Sequence, residues 1–62
     1  MIRSRWKHTK GTVYTVINIA NTTIKEHDPD FPITVIYIND KGDVFARPID
    51  KFLNGKYQEI LK

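Results

Sequence analysis

The stretch Thr12-Val13-Tyr14-Thr15-Val16-Ile17-Asn18-Ile19-Ala20 decides how this chain reads. It is dense in β-branched and aromatic residues, which fit a pleated surface better than a helix, so it reads as the longest strand. Its alternation changes partway: Tyr14 and Val16 fall on one face, Ile17 and Ile19 on the other. A long strand does this where a bulge or sharp bend lets it serve both sides of a small barrel.

Downstream, Ile33-Thr34-Val35-Ile36-Tyr37-Ile38-Asn39 is apolar on both faces and reads as a central strand, paired with Asp43-Val44-Phe45-Ala46-Arg47. The link Asn39-Asp40-Lys41-Gly42 carries type I turn residues, with Gly42 at the left-handed position of a hairpin. Upstream, Arg5-Trp6-Lys7-His8-Thr9 alternates, with Trp6 and His8 on one face, and Gly11 permits a tight turn into the long strand. Pro48 suits the first position of a helical turn. Ile49, Phe52 and Leu53 form its apolar stripe, and Asn54-Gly55 its C-cap. Tyr57 to Leu61 reads as a last short strand. The fold class is therefore all-β: a small SH3-like barrel of four to five short strands with one short helical turn. The segment from about Asn21 to Pro32 is a long loop, stiffened by Pro29 and Pro32, with Phe31 expected to pin it to the barrel.

The chain has 62 residues, so residues 1–62 form a single domain with a thin core. Below about 70–80 residues a core seldom supplies more than about 3–5 kcal/mol, and self-association is one way to add buried area. There is no cysteine, which excludes disulfides and thiolate zinc sites. No apolar run is long enough for a membrane helix, and no secretory h-region follows Met1, so a cytoplasmic location without membrane contact is expected. The net charge of +3 is segregated. Residues 1–25 contain five basic residues and no acid, whereas residues 26–50 sum to −4. A basic N-terminal half points to nucleic acid or another anionic partner, although dispersed surface charge alone would look the same.

Trp6-x-His8-x-Lys10-Gly11-x-x-Tyr14-x-Val16, followed by Ala20, Val35-x-Tyr37 and Phe45-x-Arg47-Pro48-x-x-x-Phe52, resembles the small bacterial and phage family catalogued as domain of unknown function 1653. The resemblance spans Trp6 to Phe52 and implies a small β-barrel in the strand order read above. After Ala20 this chain has Asn21-Thr22-Thr23-Ile24 and a longer acidic loop, where that family has a short His-Ser-Glu-Thr-like stretch. The resemblance carries no activity.

The chemistry-bearing residues are few. There is no GxSxG, HExxH or phosphate-binding glycine loop, and Ser4, the only serine, lies in an N-terminus expected to fray. Glu26-His27-Asp28-x-Asp30 lacks zinc spacing and reads as a solvated acidic loop, so neither metal nor cofactor is expected. An enzyme would have to rest on His8, and the chain is read instead as a non-enzymatic binding module. In one version Arg3, Arg5, Lys7 and Lys10 follow phosphates along a strand while Trp6 stacks on a base. The rival explanation is that charged edge strands merely resist aggregation. In the other version Trp6, His8, Tyr14, Tyr37, Phe45 and Arg47 converge as an aromatic pocket for a small ligand or protein, in a homo-oligomer. Against this, the same aromatics suit a thin core, and Arg47 suits a clamp to Asp50 or Asp43.

Overall fold

The computed structural model describes residues 1–23 and 29–61. It is an all-β domain of five antiparallel strands and one short helix. These are β1 (Arg5–His8), β2 (Val13–Ala20), β3 (Thr34–Ile38), β4 (Val44–Pro48), α1 (Ile49–Phe52) and β5 (Tyr57–Glu59). The strand order is β4-β3-β2-β1-β5, so the last strand lies beside the first. β4 and β5 do not pair, and the sheet is therefore not closed by hydrogen bonds. It is nevertheless strongly curled. Neighbouring strands lie about 4.8 Å apart, so β3 and β5 would be about 14 Å apart in a flat sheet. Instead the rings of Tyr37 on β3 and Tyr57 on β5 are buried in one core with centroids 5.8 Å apart, and their hydroxyls lie 3.1 Å apart.

The long strand carries the bulge that its changing alternation predicts. Its pairing with β3 shifts between Val16 and Asn18. The consequence differs from the expectation, because Ile17 is the extra residue and turns out to solvent, while Val16 and Ile19 both pack on the same core. The bulge thus restores the core face rather than serving two faces. The core itself is Trp6, Val16, Val35, Tyr37, Phe52 and Tyr57, with Tyr14, Ile19 and Ile49 packed against it.

Both hairpins use the same turn. Asn39 N–H donates to the Asp43 carbonyl at 3.1 Å and Gly42 N–H to the Asn39 carbonyl at 3.3 Å. In the first hairpin, His8 N–H donates to the Thr12 carbonyl and Gly11 N–H to the His8 carbonyl, each at 2.8 Å. Gly42 and Gly11 have φ of 88° and 98°, where a Cβ is strained. The side chain opening each turn accepts from the backbone two residues on: Asn39 Oδ1 from Lys41 N–H, and His8 Nδ1 from Lys10 N–H, both at 3.0 Å. His8 therefore does in one hairpin what Asn39 does in the other.

Several local expectations are corrected. Pro48 is the last residue of β4 and flanks α1 rather than opening it, because its ψ of 141° is extended. α1 ends at Phe52 with Leu53 as its C-cap, so Asn54-Gly55 instead forms the turn into β5. Leu53 is exposed, leaving Phe52 as the helix's buried anchor, with Ile49 partly buried beside it. β5 stops at Glu59, although Ile60 N–H still reaches the Arg5 carbonyl. The N-terminal residues are bonded to β2 and to one another. Arg3 N–H donates to the Val16 carbonyl at 2.7 Å, Val16 N–H donates to the Ser4 carbonyl at 2.9 Å, and the Ser4 hydroxyl donates to the Met1 carbonyl. Phe31 is 53% exposed rather than packed on the core. Asn21 donates from Nδ2 to the Pro32 carbonyl at 2.8 Å.

Two substitutions test this account by chemical denaturation. Gly42→Ala meets no atom within 4 Å, so its cost is backbone strain alone, expected at about 1–2 kcal/mol. Phe52→Ala empties a fully buried site and is expected to cost about 3–5 kcal/mol, enough to unfold a chain this small.

Candidate functional site

The aromatic residues read as a pocket meet, but they fill the space between themselves. Tyr37 lies at their centre, edge-on to Tyr14 (5.1 Å between centroids), stacked with Phe45 (5.7 Å), tilted against Phe52 (5.1 Å) and edge-on to Tyr57 (5.8 Å). Phe52 stacks on Tyr57 at 4.6 Å and receives Trp6 at 5.1 Å. These geometries suit the ring quadrupole, edge against face or offset in parallel. Tyr37 is 2% exposed and Trp6 9%. Trp6 also spends its indole N–H on Ser4 Oγ at 2.8 Å. It therefore has no ring face free to stack on a base, which corrects the role given it in the basic-strand reading.

Arg47 is where this core reaches the surface. Its Nε–H donates to the Tyr37 hydroxyl at 2.9 Å, and that oxygen is in turn bonded to the Tyr57 hydroxyl at 3.1 Å. The clamp expected to Asp50 or Asp43 is replaced by this bond. Asp43 Oδ2 accepts from Asn39 Nδ2, and Asp50 Oδ1 from Lys51 N–H. The bond to Tyr37 favours the charged guanidinium. Burial, with the hydrogen bond to Tyr57, pushes the Tyr37 hydroxyl up to about 12, against the opposing pull of Arg47. Held on the Tyr37 hydroxyl through Nε and drawn to the Tyr57 hydroxyl as well, the Arg47 guanidinium is still exposed at the surface, and its planar fork suits phosphate or carboxylate.

Arg47 opens into a cleft of about 480 Å³. β1 supplies His8, the first hairpin Lys10, α1 Lys51, and the turn before β5 Lys56, while the ring of Tyr57 is part of the wall. His8 is edge-on to that ring at 4.9 Å. Four cations line the cleft, and among the described residues no carboxylate does. They come from four separate segments, brought together only because the sheet curls. Lys51 and Lys56 belong to the C-terminal part of the chain, which the N-terminal bias in charge does not single out, and only the folded topology places them with Lys10.

The basic strand fares differently. Arg3, Arg5 and Lys7 are exposed, with Arg5 and Lys7 on the face opposite Trp6 and His8. Arg5 and Lys10 line a second, wider hollow between the two hairpins, and Asp40 and Asp43 line it too. A polyanion on that side would meet carboxylates as well as cations. Lys10 alone belongs to both hollows. Tyr14 and Phe45 are at the core's margin, and Phe45 keeps 40% of its surface exposed. The acidic stretch considered and set aside for metal binding lies mostly outside the described residues, at positions 26–28.

The raised Tyr37 hydroxyl gives a pH prediction. The folded state holds the proton up to about 12, while an unfolded tyrosine releases it near its usual value of about 10. Between those values the native state binds more protons, so stability falls as pH rises through that window. In an alkaline absorbance titration of the parent, a late tyrosine step at about 12 should be seen and should be lost in Tyr37→Phe; a parent in which every tyrosine titrates near 10 while circular dichroism still reports the fold would refute the assignment. Comparison with known protein families, curated proteins and solved structures finds no match to this chain.

Proposed function

We propose that this protein is a non-enzymatic binding module for an anionic partner, with nucleic acid as the partner and the cleft around Arg47 as the seat of its phosphates. One observation carries the reading: Lys10, Arg47, Lys51 and Lys56 converge on one cleft that no described carboxylate lines. Crowding like charges is unfavourable unless water or an anion screens them, and a phosphate would satisfy several at once. The Tyr57 wall and the exposed part of Phe45 offer the remaining aromatic surface for a base. Against catalysis, His8 Nδ1 is already engaged by the Lys10 backbone, and no described carboxylate in the cleft would serve as its partner.

An SH3-like barrel is supported by the strand order, by the single helical turn before the last strand, and by the Tyr37–Tyr57 contact across the curl. His8 and Lys10 of the first hairpin and Arg47 of β4, distant in sequence, line the same cleft. A cytoplasmic location for a bacterial or phage protein is part of this reading, and no described helix is long and apolar enough to cross a membrane.

Titrating labelled single-stranded and duplex oligonucleotides at several salt concentrations tests the proposal. Engaging three or four phosphates on a single strand gives a slope of log K against log salt of about −2 to −3. Lys51→Glu with Lys56→Glu should weaken binding by at least about tenfold, and Arg3→Glu with Arg5→Glu much less. No binding at low salt would refute the function, and the reverse ranking of the variants would refute the site.

A further inference from the structure

β4 ends the sheet, and among the described residues no strand pairs with its outer edge. Two hydrogen bonds determine which backbone groups face that edge. Asn39 N–H donates to the Asp43 carbonyl at one end of the β3–β4 ladder, and Ile49 N–H to the Ile33 carbonyl at the other. The register between them pairs Tyr37 with Phe45 and Val35 with Arg47. Bonded and unbonded pairs alternate in an antiparallel ladder, so Phe45 and Arg47 spend their N–H and C=O groups on β3. Val44 and Ala46 therefore direct theirs outward.

This edge is poorly defended. Val44, Phe45 and Ala46 are consecutive, apolar and exposed, Val44 by 59%. Edge strands are ordinarily guarded by lysines, bulges, prolines or shortness. The opposite edge is guarded by shortness, since β5 has three residues, whereas β4 has only Pro48 at its end. We infer that β4 pairs antiparallel with β4 of a second copy about a two-fold axis at Phe45. Val44 then faces the partner's Ala46, and Ala46 the partner's Val44, which uses all four outward groups of each strand segment in four interchain hydrogen bonds. The two Phe45 rings meet at a close, unbonded pair. Asp43 falls opposite the partner's Arg47, and Arg47 opposite the partner's Asp43, giving two complementary charge pairs. Charge and backbone both select this register. Sliding two residues one way sets Arg47 against the partner's Lys41, and sliding two the other way sets Val44 against the partner's Pro48, which has no N–H to give. The ladder stops where Pro48 meets Gly42, whose N–H is already bonded within its own turn.

The inference shares Arg47 with the anion reading, since the partner's Asp43 would meet the guanidinium that faces the cleft, and its test therefore uses the full chain without nucleic acid. Sedimentation velocity should show a monomer–dimer equilibrium with Kd on the order of 10–100 µM, as suits a small interface. Amide exchange followed by NMR should show the Val44 and Ala46 N–H groups gaining protection as protein concentration rises, while Phe45 and Arg47 stay protected at every concentration. Asp43→Arg should weaken association at least about tenfold, and Asp43→Arg with Arg47→Asp should restore it, with circular dichroism confirming the fold. A monomer at about 1 mM would overturn the inference, as would a dimer in which Val44 and Ala46 exchange freely or one that Asp43→Arg leaves intact. Nucleic-acid binding that survives loss of the dimer, or a dimer that survives Lys51→Glu with Lys56→Glu, separates the two proposals.

Discussion

The Tyr37 side chain joins everything else in this molecule. Its ring touches the core residues of β2, β4, α1 and β5, and its hydroxyl bonds both Arg47 and Tyr57. A buried hydroxyl is costly without partners, and here both partners also shape the protein's surface. One bond orients the guanidinium at the mouth of the cleft; the other holds β5 against a strand that is not its neighbour in the sheet. Fold and site therefore share an atom, the Tyr37 oxygen, and neither can be altered there without the other.

The thin core explains why the aromatics are not a pocket. Among the described residues only six are buried, and four of them, Trp6, Tyr37, Phe52 and Tyr57, are aromatic. In a larger domain such rings can be spared to line a cavity. Here they must contact one another, and recognition is left to long, charged side chains that cost the core nothing. Lys10, Lys51 and Lys56 surround the cluster in this way, with their charged ends in water.

Much of the fold was legible in the sequence. The long strand and the two that follow it are where their β-branched and aromatic residues put them, β5 is shorter than read, Gly42 and Gly11 mark the hairpins, and the broken alternation of β2 marks a bulge. What periodicity missed was three-dimensional closure. Two-residue alternation assigns faces but says nothing of curl, so it set Ile19 against Val16 when the bulge sets them together. It also gave Trp6 a face without saying that Phe52 covers it. For the site, His8 and Arg47 were singled out together in the aromatic group, and Lys10 apart from them in the basic one. Lys51 and Lys56 were not, because a lone lysine beside a helical turn or a glycine carries no signal until the fold gives it neighbours. Phe31 was misplaced for the opposite reason: an aromatic between prolines suggests anchoring, yet Phe31 is exposed and the Asn21 amide bonds the Pro32 carbonyl.

The two matched hairpins bear on how the domain assembles. Each closes on residues a few positions apart, through a glycine and a side-chain acceptor that need nothing from the rest of the chain. β5, by contrast, must travel back across the whole sequence to lie on β1, an entropic cost paid late. Hairpins are therefore expected early in folding and the docking of β5 last. The cleft draws His8 and Lys10 from the first hairpin, Arg47 from the second, and Lys56 and Tyr57 from the segment that arrives last. It exists only once that step is complete. An anion seated there would thus act as a latch on the final stage of folding, slowing its reversal by as much as it favours the finished molecule.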